Sequence, residues 1–133
     1  MQTFAHGNWR LGLPDDWVRE VEDDIATLYH PDGVGELTIS SPATDGAVSR
    51  DDLLFLAGEQ LEQGVRPTDV ELGDFRGIEL IYEDGDGNYW REWFLSADDT
   101  LLQISYTCPV GREEKEEGMI DVILATLRKR TAE

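Results

Sequence analysis

Residues 78–95 read Ile78-Glu79-Leu80-Ile81-Tyr82-Glu83-Asp84-Gly85-Asp86-Gly87-Asn88-Tyr89-Trp90-Arg91-Glu92-Trp93-Phe94-Leu95. Ile78, Leu80 and Tyr82 share one face, with Glu79 and Glu83 on the other, which is the period of a strand. Asp84-Gly-Asp-Gly87 supplies a hairpin turn with two glycines available for positive φ. An even-numbered loop pairs Tyr82 with Tyr89, Leu80 with Arg91 and Ile78 with Trp93. An odd loop brings Trp90, Glu92 and Phe94 onto that face instead, because a one-residue slip inverts every side chain. In both registers the returning strand carries aromatics on its two faces, so each side of the sheet needs cover.

Working outward, Leu102, Ile104, Tyr106 and Cys108 continue an apolar face, so 70–108 reads as an antiparallel meander. Upstream, Trp9 to Leu13, Trp17 to Glu22, Ala26 to His30 and Glu36 to Ser40 are strand candidates divided by Pro14-Asp-Asp16 and Pro31-Asp-Gly-Val-Gly35. Ser49 with Asp52 forms a capping-box-like pair. Leu53, Leu54, Leu56, Ala57 and Leu61 then make a helical stripe that Gly64 stops. A last helix is expected from about Glu113 to Lys129, with Met119, Ile120, Ile123, Leu124 and Leu127 buried. Its glutamates 113, 114, 116 and 117 and its closing Arg128-Lys-Arg130 would complement the helix dipole at its two ends. The elements predict an α+β domain over 1–133, a central antiparallel sheet of about six strands flanked by two main helices.

The 133 residues carry 29 Asp+Glu against 11 Lys+Arg, a net charge of −18. A folded chain of this size exposes roughly 7,000 Å², hence about one net negative charge per 400 Å². That field disfavours phosphate backbones and anionic membranes and favours basic proteins or cations. No apolar run approaches the roughly 20 residues of a membrane span. The start, Met1-Gln-Thr-Phe-Ala-His6, lacks the pattern of a signal peptide, which gives the expectation of a cytoplasmic, soluble protein. The single Cys108 permits no internal disulfide and reads as a small core residue.

Catalytic patterns are missing: the sequence has no P-loop, no GxGxxG and no GxSxG. Asp84 to Asn88 begins like a calcium loop but has Tyr89 where glycine is needed and Leu95 where a bidentate glutamate is needed, so it reads as a turn. No cofactor or metal site is expected. Glu79 and Glu92 would repel as direct neighbours unless Arg76, Arg91 or another cation intervenes, and structural ion pairing is their expected role. Two candidate surfaces remain. One is the acidic stretch Asp15, Asp16, Glu20, Glu22, Asp23 and Asp24, a partner-binding face. The other is an aromatic groove of Trp90, Arg91 and Trp93, for a ligand or peptide.

The order of elements, with Leu13-Pro-Asp-Asp-Trp17 near the start and Ile123-Leu-Ala-Thr-Leu127 near the end, resembles the PsbP-like superfamily across essentially the whole chain. The resemblance implies an antiparallel sheet between helical layers and a small bacterial domain that binds proteins without catalysing a reaction. It carries over no catalytic residues. Its bacterial members include secretion-linked chaperones and proteins that look like toxin-neutralising partners. The expectation is a non-catalytic acidic binding domain for a basic partner, in an immunity, chaperone or adaptor role. The alternative is a small-ligand or cation-binding module.

Overall fold

The meander forms one half of a seven-stranded sheet, antiparallel at every pairing. A computed structural model describes residues 1–130. The strands are β1 (Gln2–His6), β2 (Trp9–Leu13), β3 (Val18–Glu22), β4 (Ile25–Tyr29), β5 (Glu36–Ser40), β6 (Thr68–Leu72), β7 (Phe75–Glu83), β8 (Asn88–Ala97), β9 (Thr100–Pro109) and β10 (Arg128–Lys129). The large sheet has the order β3-β4-β5-β9-β8-β7-β6, and β1-β2-β10 form a separate small sheet. The helices are α1 (Arg50–Leu56), α2 (Gly58–Glu62) and α3 (Glu117–Ala125), the last preceded by a 3-10 turn at Glu113–Lys115. This is an α+β fold, as the periodicities predict, with one strand more in the main sheet. None of the described helices is long and apolar enough to cross a membrane.

The β7–β8 register is the odd one: Tyr82 faces Trp90, Leu80 faces Glu92 and Ile78 faces Phe94. The Asp84 side chain sets it. One carboxylate oxygen accepts from the backbone N–H groups of Asp86 (2.8 Å) and Asn88 (3.0 Å), the other from the Trp90 indole (2.8 Å). Gly87 takes the left-handed conformation (φ 83°) that lets the chain return.

The two faces of the sheet hold separate cores. On one, Trp93, Leu95, Leu102, Ile104, Tyr106, Leu37 and Leu28 pack under Trp9, Leu11 and Leu13 of β2, Ile120, Ile123 and Leu124 of α3, and Leu127. On the other, Ile78, Leu80, Phe94 and Leu101 pack under Leu53 and Ala57. Ser49 caps α1 with the reciprocal box read from the sequence: its hydroxyl accepts from Asp52 N–H and Asp52 accepts from Ser49 N–H. Each fully buried Leu or Ile contributes about 1.5–3 kcal/mol, so the β1–β2 hairpin and α3 act as a lid over the larger core.

The C-terminal helix is shorter than its apolar stripe suggests. It ends at Ala125, and Arg128 and Lys129 pair with Arg10 and Trp9 of β2 rather than closing a helix. Thr126 causes the stop: its hydroxyl donates to Ile123 C=O (2.6 Å) and accepts from Gly12 N–H (2.7 Å). The basic run is therefore a strand, and Lys129 reaches Asp98 and Asp99 (3.3 Å each). The glutamates divide as well. Glu116 is only 7% exposed; one carboxylate oxygen accepts from Val34 N–H (3.2 Å), Gly35 N–H (3.0 Å) and Tyr106 O–H (2.8 Å). A β-carbon at Gly33 would strike that carboxylate, and one at Gly35 would strike Thr107 C=O, which explains the two glycines in the 31–35 turn.

Candidate partner-docking face

Helices α1 and α2 cover the β7–β8 part of their face. Leu101 at the start of β9 also packs under α1, but over the rest of β9 and over β5, β4 and β3 the same face has no described helix in its packing. Its side chains follow from the register as two cross-strand rows. Glu20, Thr27, Thr38, Ser105 and Glu92 make one, and Glu22, Ile25, Ser40 and Gln103 the next. Thr107 lies between Glu36 and Trp90 in a third. Strict alternation produces this surface: Thr38 and Ser40 flank buried Ile39, while Gln103 and Ser105 flank buried Ile104.

Three carboxylates, Glu20, Glu22 and Glu36, lie on this open half, and a fourth, Glu92 of β8, lies at its border, where Gln60 of α2 reaches it. Among the described residues none of the four is in an ion pair. Arg50 pairs instead with Asp69 and Arg91 with Glu79 and Asp121, and Arg19 lies over the Phe4 ring. Phenols and an amide hold two of the carboxylates in place. Glu20 accepts from Tyr29 O–H (3.1 Å), and Glu92 accepts from Tyr82 O–H and from Gln60 Nε2 (3.0 Å). Burial, with help from Glu92, pushes the Tyr82 phenol up to about 12, so it remains a donor throughout the physiological range.

The acidic stretch read from the sequence divides over this frame. Glu20 and Glu22 lie on the open face. Asp23 and Asp24 form the β3–β4 turn, Asp23 with φ 55°. At the opposite end of the hairpin Asp16 bonds His30 Nε2 (3.0 Å) and Asp15 lies 4.0 Å from the N-terminal ammonium. The six do not make one cluster. Glu36 and Glu92 join the face instead; the signal for Glu36 was its place in the alternation Glu36-x-Thr38-x-Ser40.

The Trp90–Arg91–Trp93 groove does not form. Successive strand residues point to opposite faces, so Trp90 lies on the helix side and the other two on the far side. Trp93 is 1% exposed, with the Arg91 guanidinium 4.8 Å from its ring centre. Glu79 accepts from Arg91 Nη2 (2.9 Å) and from the Trp93 indole (2.7 Å), and Arg91 also reaches Asp121 (2.6 Å). Glu79 is thus in a structural ion pair, as expected, and Glu92 is on the other face. Burial pushes the Cys108 thiol up, in keeping with a core residue.

A hollow of about 970 Å³ lies elsewhere, beside Arg50, Asp69, Arg76 and Ser96. Among the described residues no three His, Cys, Asp or Glu side chains are grouped to hold a metal ion. The turn itself titrates. The Trp90 indole, then the Asn88 N–H, hold the Asp84 carboxyl down at about 2, below the usual carboxylate range. A depressed pKa means that its contribution is present above about pH 4 and lost as pH falls through 2. The Trp90 indole N–H resonance is expected to stay fixed from pH 7 to 4 and to shift between about pH 3 and 1.5; a shift centred near 4 would contradict the assigned turn.

No protein-family model and no curated protein matches the chain. Solved structures do. A Bacteroides thetaiotaomicron VPI-5482 protein aligns with a TM-score of 0.69 at 20% identity over 92% of this chain, which spans only 45% of that protein's length. LpqN of Mycobacterium tuberculosis, involved in cell envelope biogenesis, aligns with a TM-score of 0.64 at 14% identity, over 98% of this chain and 90% of its own. At these identities the chain is similar to both in fold.

Proposed function

We propose that this chain is a non-catalytic, PsbP-like protein-binding domain that docks a basic partner on the open half of its large sheet, in an immunity, chaperone or adaptor role. One observation carries the reading: Glu20, Glu22 and Glu36 share an uncovered part of the sheet face, Glu92 borders it, and none of the four is in an ion pair among the described residues. With Glu20 and Glu22 on β3 and Glu36 on β5, one strand apart, the face carries a negative field that favours a partner of opposite sign and speeds its approach.

Decalysine is the probe for a test. Its affinity, read by fluorescence anisotropy, is expected to fall roughly tenfold or more between 0.05 and 0.3 M salt, as charges more than a Debye length apart become screened. Glu20→Gln/Glu36→Gln/Glu92→Gln is expected to weaken binding at low salt at least fivefold. Asp15→Asn/Asp23→Asn/Asp24→Asn removes the same net charge off the face and is expected to change it less than twofold. Equal losses in the two variants, or salt-independent binding, would sink the reading.

A further inference from the structure

The open face is bounded by apolar side chains. Phe55, on the outer side of α1, is 84% exposed, and Leu56 beside it is 40% exposed. With Asp45, Val48, Asp52 and Leu101 they line a hollow of about 350 Å³. Leu101 precedes Gln103 by two residues on β9 and so points to the same face, one row along from Gln103, Ser40 and Ile25. At the far side of that row Ile25 is 46% exposed. From Ile25 on β4 to Leu101 on β9 is two strand spacings across and two residues along, about 12 Å. One α-helix with its side chains is about 10–12 Å across.

We infer that the partner presents a basic amphipathic helix, laid on the open face with an apolar residue seated in the Phe55–Leu56–Leu101 hollow. The inference rests on the docking function proposed above and adds what the partner must offer. Charge complementarity selects the sign: Asp45 and Asp52 rim the hollow, and Glu20, Glu22, Glu36 and Glu92 extend from it. A Lys or Arg face would meet these carboxylates while the apolar stripe covers Phe55 and Ile25, as amphipathic helices do in grooves. Phosphorylated segments and anionic lipid surfaces have the wrong sign.

Two 18-residue peptides of identical Lys/Leu composition separate the contributions, one with the leucines at helical spacing and one scrambled to abolish the stripe. The helical peptide is expected to bind the wild-type chain at least tenfold more tightly than the scrambled one. Phe55→Ser is expected to reduce that advantage to within twofold while leaving decalysine binding and the thermal midpoint unchanged, since Phe55 is 84% exposed. Equal affinity of the two peptides, or an advantage that survives the substitution, overturns the inference while the charge-based docking stands. Absence of decalysine binding overturns the docking and the inference with it. Self-association in sedimentation runs that the same substitution abolishes would assign the hollow to a second copy of this chain and overturn the inference too.

Discussion

Replacing Glu116 by alanine is expected to lower the unfolding free energy by about 3–5 kcal/mol, since hydrogen bonds to a charged group contribute about 1.5–3 kcal/mol each and their stranded donors add a desolvation cost. The carboxylate is 7% exposed, and a single oxygen receives the N–H groups of Val34 and Gly35 together with the Tyr106 hydroxyl. It therefore ties the β4–β5 turn to β9 and to the start of α3. Alanine leaves all three donors without an acceptor. Glu116→Gln keeps one oxygen in position and is expected to cost only about 1–1.5 kcal/mol, the difference between a charged and a neutral acceptor. Urea unfolding measures both. An alanine cost under 1 kcal/mol would mean that water replaces the carboxylate and that the anchor is dispensable.

Arg91→Met should cost about 3 kcal/mol or more, because removing one partner of a buried pair leaves the other charge uncompensated. The Arg91 and Glu79 side chains are 12% and 14% exposed, so solvent screens the pair little. After the substitution Glu79 retains only the Trp93 indole among the donors that now hold it. The double variant Glu79→Leu/Arg91→Met removes both charges and is expected to recover most of the loss. A double variant as unstable as the single one would show that the guanidinium matters by packing on Trp93, not by its charge. Trp93 fluorescence and urea midpoints report on the two possibilities together.

Much of this was legible in residues 78–108, where period-two alternation on three long strands determines the meander, and in Ser49–Asp52, which forms the capping box it spells. The register was open because turn length there depends on the Asp84 side chain bonding four residues ahead and to the Trp90 indole, contacts that no propensity encodes. Once the odd register is known, the loss of the Trp90–Arg91–Trp93 groove follows from the pleat alone. The end of α3 was hidden for another reason. The stripe through Leu127 keeps helical spacing, but Thr126 finds an acceptor on its own helix and a donor on β2, 114 residues away. Tertiary contact overrode local pattern. The proposed docking face lies between these cases: Thr27, Thr38, Ser40 and Ser105 announce a polar face, whereas the extent of helix cover depends on where α1 and α2 end.

Strand β2 obtains its outer neighbour and its helical cover only from residues 117–129. During synthesis Trp9, Leu11 and Leu13 leave the ribosome well before residues 117–129 and lack that cover until those residues follow. At roughly 5–20 residues per second, the 114 residues between Gly12 and Thr126 take on the order of ten seconds to make. For that interval the nascent chain carries a bare apolar hairpin, the kind of surface that holdase chaperones recognise, and a chain released early, before α3, keeps it permanently.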